Sequence, residues 1–468
     1  LVAKELALVG LWGEADQVHM AVLDRAAAFG ILTLPCADGG FPSVGASHPP
    51  AIRLERAIKD LFGHEPIGAP DARPWLDHGR WGVTHPLGAA TSALPDGVPY
   101  AFLPTEGPGL HQIPVGPIHA GIIEPGHFRF SANGETVVRL EERLGYVHKG
   151  IERLMAGADL THGARLAGRT SGDSTVAFAY GFARAAEVAC GAEPPERAVW
   201  LRALMAEMER LANHFGDIGA ICNDASFVLM HAHCGMLREQ MLRAADACFG
   251  HRLMRDRIVP GGVAVDLGAD GAKLVRGLMR HVKTTFPALV KLYDNTASLQ
   301  DRTVGTGVLT PDLARKYGCG GYVGRASGRN FDSRRTLPYA PYDRLKFDVP
   351  VRLEGDVDAR VWIRIKEVDE SVSMIEQILD NLPDGAIRSE LPAGVDHPRE
   401  GAAVVESFRG DVLVWLRLDA AGNIARCHLR DPSWFQWPVL EAAIEGNIVA
   451  DFPLCNKSFN CSYSGHDL

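Results

Sequence analysis

Apolar side chains recur at helical spacing along four long stretches in the middle of the chain. The most regular stretch steps by four and three residues through Val361, Ile365, Val368, Val372, Ile375 and Leu379. A second stripe follows two prolines and contains Trp200, Leu204, Met208, Leu211 and Phe215. Two further helices are predicted over roughly 228–255 and 271–294. Stripes of this width pack against one another, so the pattern predicts a helical bundle whose apolar positions form a core.

Strand patterns flank the predicted bundle. HFRFS and ETVVRL alternate in polarity around Asn133-Gly134, which predicts a hairpin with a type I′ turn. VLVWLRLD and IARCHLR stand on either side of a turn over 420–423 and predict a second hairpin. We therefore expect small antiparallel sheets beside the bundle.

The first hundred residues mix helix and strand signals. Residues 16–29 are predicted to be helical, residues 31–34 form a short apolar run, and residues 50–62 form a clearer helix. A stretch rich in Pro and Gly then runs over 64–116, and we place a domain boundary near residue 105.

The fold class that these patterns predict is α+β. We expect an N-terminal α/β domain over residues 1–104. A helical bundle with small antiparallel sheets follows over residues 105–468, and 468 residues are enough for two or three such domains.

Composition narrows the possible functions. The net charge of −9 offers no basic surface for nucleic acid, and no run of about 18 apolar residues could span a bilayer. The N-terminal segment, interrupted by Glu5 and Glu14, does not resemble a secretory signal. The nine cysteines are scattered without a C-x-x-C pair, as expected for reduced thiols in the cytoplasm.

Residues 115–170 carry a specific resemblance. They read VGPIHAGIIEPGHFRFSANGETVV, LGYVHKGIERLMAG and LAGRT, and are followed by PPERAVWLRALMAEMERLANHFGDIG, PGGVAVDL and LPYAPYDRLKFDVPV. In order and spacing these motifs resemble the large subunit of formate hydrogenlyase-type, energy-converting [NiFe] hydrogenases. They also resemble the hydrogenase-like subunit of respiratory complex I. The likeness extends over residues 111–468.

The N-terminal segment fits the same resemblance. HPPAIRLERAIKDLFGHEPIGAPDARPWL is similar to the small complex I subunit that precedes the hydrogenase-like one. The two subunits are fused in this order in formate hydrogenlyase large subunits. The resemblance implies an oxidoreductase subunit that acts only with its partners: a small iron–sulfur subunit carrying a cluster, and antiporter-like and anchor subunits in the membrane. The chain would then be a soluble cytoplasmic protein, held at the inner face of the cell membrane through these partners.

Four cysteines hold nickel and iron in the hydrogenases of this family, as two C-x-x-C pairs. The matching positions here are Ser171 and Ser174 early in the chain and Ser462 and Gly465 near its end. A neutral hydroxyl is a poor substitute for a soft thiolate, so the resemblance implies a chain without a nickel–iron centre. A shifted alignment would recover only Cys461 as one ligand.

Complex I relatives use the corresponding cavity for quinone, which a histidine and a tyrosine hold. The matching positions here are Ile123 and Gly172, while His119 matches an earlier histidine of the same loop. Quinone binding therefore stays open as a function, although neither Ile123 nor Gly172 is the residue type that holds quinone in these relatives. His119 and His148 are the candidate cofactor contacts.

Charged residues remain at the family's central positions. Glu152 matches a glutamate that transfers protons in hydrogenases, and a desolvated carboxylate there could titrate near neutral pH. The alternative for Glu152 is an ion pair with Lys149 or Arg153. Arg169 and Arg325 match arginines that line the cavity, and Asp332 is a further candidate.

Three functions stay open at this point. The chain could bind an electron acceptor or couple redox chemistry to proton movement within a membrane-associated complex, without nickel and iron. It could instead be a genuine formate hydrogenlyase-type [NiFe] hydrogenase large subunit. It could also be an adaptor that only holds partners together.

Overall fold

The computed structural model describes residues 1, 5–36, 38–92, 99–119, 123–392 and 397–468. Parts of the Pro/Gly-rich stretch (93–98) and of the first resemblance motif (120–122) therefore lie outside the described residues.

The strands are β1 (Leu6–Gly13), β2 (Gln17–Asp24), β3 (Phe29–Pro35), β4 (Gly40–Pro42), β5 (Glu65–Ile67), β6 (Val83–Thr84), β7 (Thr91–Ser92), β8 (Leu110–Val115), β9 (His127–Asn133), β10 (Thr136–Arg143), β11 (Ile258–Val259), β12 (Gly262–Val263), β13 (Arg399–Ser407), β14 (Gly410–Leu418) and β15 (Ile424–Arg430). The helices are α1 (Ile52–Phe62), α2 (Ile151–Met155), α3 (Leu160–Ala167), α4 (Thr175–Cys190), α5 (Glu196–Asp224), α6 (Val228–Phe249), α7 (Ala269–Asp294), α8 (Ala297–Thr303), α9 (Pro311–Lys316), α10 (Gly321–Ala326), α11 (Ser333–Thr336), α12 (Val357–Asn381), α13 (Ser433–Ala443), α14 (Phe452–Phe459) and α15 (Tyr463–Asp467).

The bundle predicted from the apolar stripes is present, and α+β is confirmed as the fold class. Every residue of the two stripes is buried, on α5 and α12, and these helices pack with α4, α6 and α7 in one apolar core. The antiparallel sheet β13-β14-β15 lies against α4 and closes that core. Its last two strands were predicted, whereas β13 was not.

The N-terminal segment forms an antiparallel sheet in the order β1-β2-β3. The prediction of a helix over 16–29 is wrong, because β2 occupies most of this range and pairs with strands on both sides. Sheet neighbours decide the conformation of such a short apolar segment more strongly than its own sequence does. The apolar run over 31–34 lies within β3, and the predicted helix over 50–62 is confirmed as α1.

The hairpin of β9 and β10 is confirmed, but its turn differs from the prediction. Asn133 pairs with Thr136, so Gly134 and Glu135 form the loop. Only the glycine of these two has a positive φ, at 58°. A type I′ turn on Asn133-Gly134 is therefore wrong, because that turn needs positive φ at both central residues, and the glycine instead stands first in the loop, as in type II′ turns.

Apolar side chains from both sides of the expected domain boundary share one core. Leu11 and Ile58 from the N-terminal segment belong to the same buried cluster as Phe130 and Trp437. The boundary near residue 105 stays a prediction. None of the helices in the described ranges is long and apolar enough to cross a membrane.

Helix α10 begins against the β13–β14 turn at a contact that only glycine allows. Gly321 has a φ of +61°, and a Cβ placed there would lie 1.9 Å from the carbonyl oxygen of Arg409. This close approach aligns the bundle with the edge of the sheet that carries Arg409.

Gly321→Ala is expected to lower the free energy of unfolding by more than about 3 kcal/mol, because backbone atoms on both sides must move. Gly235→Ala in α6 is the matched control, since no atom lies within 4 Å of its Cβ position. The control should stabilise the helix by about 0.5–1 kcal/mol. Urea denaturation measures both changes, and equal stabilities of the two variants would contradict the proposed close contact.

Candidate functional site

A cavity of about 370 Å³ lies between the loop before α4 and the segment that joins α14 to α15. Its wall includes Ser171 and Ser462, two of the serines expected at metal-ligand positions, and their Oγ atoms are 3.4 Å apart. The structure therefore brings together side chains that are 291 residues apart in sequence. We call this space the serine cavity.

An ion pair forms the polar side of the serine cavity. The guanidinium of Arg409 donates from Nη1 to Asp173 Oδ1 at 3.0 Å and to Ser174 Oγ at 3.1 Å, and its Nη2 also contacts Asp173. Burial raises the pKa of Asp173, but Arg409 and the Ser171 hydroxyl outweigh burial and hold this pKa below its ordinary value. The site thus presents a half-buried carboxylate beside a buried guanidinium.

The donor set does not fit a nickel–iron centre. Ser171, Ser174 and Ser462 offer hydroxyl oxygens, and Ser174 already accepts a hydrogen bond from the cationic Arg409. A Cβ at Gly465 would lie 2.6 Å from Asp431 Oδ2, so a cysteine side chain at this position would have to displace that carboxylate. Among the described residues, no group of three or more His, Cys, Asp or Glu side chains is arranged to hold a metal.

Of the two C-terminal cysteines, only Cys461 lies at the serine cavity. Cys461 lines the serine cavity, but burial raises the pKa of its thiol well above the ordinary value. Cys455 packs instead beside Gly307 and Arg360, and burial raises its pKa to about 11. Both side chains are therefore protonated thiols at neutral pH rather than thiolates.

The two positions that match the quinone-binding residues of complex I also line the serine cavity. Ile123 and Gly172 stand there, together with Tyr463, which the sequence reasoning missed. Burial raises the pKa of Tyr463, so its phenol stays protonated at neutral pH. Its position directly after Ser462 is the sequence signal that would have found it.

His119 lies behind this wall of the cavity. Its ring centroid is 5.5 Å from that of Phe128 and 6.4 Å from that of Tyr463. Burial lowers the pKa of His119, and its Nε2 has no hydrogen-bond partner among the described residues. The geometry therefore places a neutral histidine near the cavity rather than in its lining.

Glu152 and His148 lie at a different cavity, of about 270 Å³. The ion pairs of Glu152 are with Arg426 at 2.8 Å and with His428 at 2.9 Å, and not with Lys149 or Arg153, the partners considered from the sequence. Burial raises the pKa of Glu152, but these two groups outweigh it and lower the pKa to about 2. The carboxylate is therefore ionised at neutral pH, in contrast to the titration near neutral pH that the sequence predicted.

His148 orients the loop before α2. Its Nδ1 lies 2.7 Å from the carbonyl oxygen of Asp467, and its ring stacks on Trp81 with centroids 4.5 Å apart. The Asp467 carboxylate accepts a hydrogen bond from Val147 N at 3.1 Å. The C-terminal segment thus anchors the loop that carries the predicted motif.

Arg325 and Asp332 belong to a buried ion network between the bundle and the sheet. Arg325 donates to Glu367 on α12 at 2.8 Å and to Glu406 on β13 at 2.9 Å. Asp332 lies 3.4 Å from Arg325 and accepts from Arg334, which also donates to Glu207 on α5. The two candidates are thus brought together, but neither lines the serine cavity.

Arg169 lies apart from these clusters. Its guanidinium forms two hydrogen bonds to the carboxylate of Asp256, at 2.6 and 2.8 Å, and the side chain is 40% exposed. This geometry is that of a surface ion pair, which contributes little free energy.

Comparison with known proteins places the chain in a family. Residues 224–401 and 391–467 match the family described as the respiratory-chain NADH dehydrogenase 49 Kd subunit. The chain is also 31% identical to formate hydrogenlyase subunit 5 of Escherichia coli (strain K12), over 91% of this chain and 77% of that protein. The chain belongs to the 49-kDa-subunit family.

Other relatives in the 49-kDa-subunit family carry names from two kinds of enzyme. The carbon monoxide-induced hydrogenase of Rhodospirillum rubrum is 32% identical, over 75% of this chain and 97% of that protein. An NADH-quinone oxidoreductase subunit of Desulfotalea psychrophila is 31% identical, over 72% of this chain and 91% of that protein. A chain in the structure of the membrane-bound sulfane sulfur reductase, an archaeal respiratory membrane complex, superposes with a TM-score of 0.72 at 26% identity, covering 77% of this chain and 99% of that one.

Removing Arg325 from this member of the 49-kDa-subunit family should be strongly destabilising. Arg325→Met leaves Glu367 and Glu406 buried without their shared partner, and we expect a loss of about 3–5 kcal/mol in the free energy of unfolding. Arg315→Met is the matched control, because its ion pair with Asp312 is exposed and should contribute less than about 1 kcal/mol. Denaturant titration measures the free energy of unfolding of both variants. If Arg325→Met loses less of it than the control does, the network does not support the structure.

The close contact at Gly465 predicts that alanine is more destabilising at this position than at Gly172. Gly465→Ala should lower the free energy of unfolding by about 1–3 kcal/mol, because the new methyl group displaces Asp431, whose Oδ1 accepts a hydrogen bond from Ser433 N. Gly172→Ala adds the same methyl group where no atom lies within 4 Å, and should change stability by less than about 0.5 kcal/mol. If thermal unfolding shows no difference between the variants, position 465 has room for a side chain.

Proposed function

We propose that this chain is the hydrogenase-like subunit of a membrane-associated redox complex, and that its serine cavity binds the electron acceptor in place of a nickel–iron centre. The observation that supports this proposal is the pairing of Ser171 with Ser462 on the wall of an accessible cavity, where thiolates would be needed for the metals. The chain thus keeps the fold of its family, whereas the side chains at the metal-ligand positions are different.

The lining favours a neutral acceptor that carries carbonyl oxygens, such as a quinone. Ile123 supplies an apolar surface, and the phenol of Tyr463 can donate a hydrogen bond. The charged side chains of the lining are of both signs, Asp173 and Glu124 beside Arg409 and Lys457, so they give the cavity little preference for an anion. Acceptor binding by Tyr463 would replace the histidine and tyrosine that are absent at Ile123 and Gly172.

Glu406 is a better candidate than Glu152 for the carboxylate that couples redox chemistry to proton movement. Glu152 is held ionised by Arg426 and His428. Burial and the nearby Asp332 raise the pKa of Glu406. Glu406 and Arg409 lie three residues apart at the β13–β14 turn, which connects the ion network to the serine cavity. We therefore assign the proton-linked role to the network around Arg325, Asp332 and Glu406.

The partners that we propose follow the family resemblance of the sequence, and the relatives support only that the complex is membrane-bound. These partners comprise a small iron–sulfur subunit that would bring electrons to the cavity, and antiporter-like and anchor subunits in the membrane. This arrangement would place the chain on the inner face of the cell membrane, with residues 1–104 forming the part similar to the small complex I subunit.

The proposal predicts that the complex contains far less than one nickel atom per chain. It also predicts that a side chain that fills the serine cavity closes the acceptor site. Gly172→Phe adds a ring where no atom lies within 4 Å. In the complex purified with its partners, this variant should bind menadione at least about tenfold more weakly than the wild type in calorimetry. Elemental analysis of the same sample measures nickel.

Gly268→Phe is the matched control, because this exposed glycine precedes α7 and also has no atom within 4 Å of its Cβ position. It should leave menadione binding unchanged. Stoichiometric nickel would overturn the proposal in favour of a [NiFe] hydrogenase. Unchanged menadione binding in Gly172→Phe, or none in the wild-type complex, would instead favour an adaptor without an acceptor site.

A further inference from the structure

A second cavity, of about 270 Å³, lies between α1, the loop over 81–87 and strand β15. Its walls are mainly apolar and include Leu54, Ile58, Phe62 and Leu87. We call it the tryptophan cavity, because Trp12, Trp81 and Trp434 also line it. It is separate from the serine cavity and shares no lining residue with it among the described residues.

Three buried polar atoms of this lining are unpaired. Nε1 of Trp12, Nε1 of Trp434 and Nε2 of His428 have no hydrogen-bond partner in the part of the chain that the structure describes. Trp12 is 2% exposed, Trp434 4% and His428 7%. An unpaired polar atom at this depth costs about 1–3 kcal/mol, so three of them on side chains that line one apolar cavity indicate a place where something else supplies the hydrogen bonds.

The hydrogen-bonding character of these atoms follows from their neighbours. Glu152 is ionised and accepts from Nδ1 of His428 at 2.9 Å. Burial lowers the pKa of His428, so the ring is neutral and its single proton lies on Nδ1. Nε2 is then an acceptor, whereas the two indole nitrogens are donors.

The ring of His428 is also fixed in place. It stacks on Trp12 with centroids 4.8 Å apart and planes 13° apart. Arg426 holds Glu152 from the other side at 2.8 Å. The acceptor atom is therefore positioned before any ligand arrives, which lowers the entropic cost of binding.

From these observations we propose that the tryptophan cavity is a binding site for a small apolar ring that carries a hydroxyl group. A hydroxyl can donate to His428 Nε2 and accept from an indole N–H at the same time, which a purely apolar molecule or a carboxylate cannot do. The ring matches the apolar walls. This site is independent of the proposed acceptor site, and its occupant need not take part in electron transfer.

The test uses ¹⁹F NMR of 4-fluorophenol with the full chain in its complex, and fluorobenzene as the probe without a hydroxyl. The wild type should bind 4-fluorophenol about fivefold more tightly than fluorobenzene, although fluorobenzene is the more apolar of the two. His428→Phe should remove this preference. Ala57→Phe, which fills the cavity from α1, should abolish binding of both probes.

Ala232→Phe on the exposed face of α6 is the matched control and should bind as the wild type does. Leu87→Trp fills the cavity from the opposite loop, in case Ala57→Phe fails to fold. Gly172→Phe closes only the serine cavity and should leave the binding of both probes unchanged. Absence of binding at millimolar probe, or undiminished binding in the folded cavity-filling variants, would overturn the proposal.

Discussion

The pairing of buried arginines with buried carboxylates is the constraint on which the rest of this structure depends. Arg325 on α10 reaches Glu367 on α12 and Glu406 on β13, so one guanidinium joins two helices to the sheet. Arg334 extends the pairing to α5 through Glu207. Each of these charges would be costly to bury alone, so the helices and the sheet are held to the one arrangement that pairs them all. The apolar core supplies most of the stabilisation, but it does not by itself specify which turn of a helix faces which strand.

The serine cavity lies at the edge of this network. The β13–β14 turn places Glu406 among the arginines of the bundle and, three residues later, directs Arg409 to Asp173 and Ser174. The serines at the expected ligand positions therefore form hydrogen bonds to the protein's own Asp173–Arg409 ion pair. One fold can serve hydrogenases and quinone-linked enzymes alike, because the contacts that stabilise the fold are separate from those that line its cavity.

The parts of the fold that depend on local periodicity could be predicted from the sequence, and those that depend on distant partners could not. The stripes on α5 and α12 were found because a helix repeats its buried face within a few residues. Strand β2 was misassigned because its conformation depends on β1 and β3. Glu152 was assigned the wrong ion-pair candidates, because Arg426 and His428 lie more than 270 residues further along the chain. Motif spacing found the serine positions, whereas the tryptophan cavity combines the two ends of the chain and has no local pattern.

The small space around Gly465 has an evolutionary consequence. The Asp431 carboxylate fills the volume that a side chain at position 465 would need, and Ser433 holds that carboxylate in place. A single change that restored a cysteine here would first have to survive a steric clash, and it would offer one thiol where a metal needs several. Under the proposed function, the changed ligand positions and the packing of Asp431 against position 465 thus act together as a ratchet, and the route back to a metal site requires simultaneous substitutions at separate places in the gene.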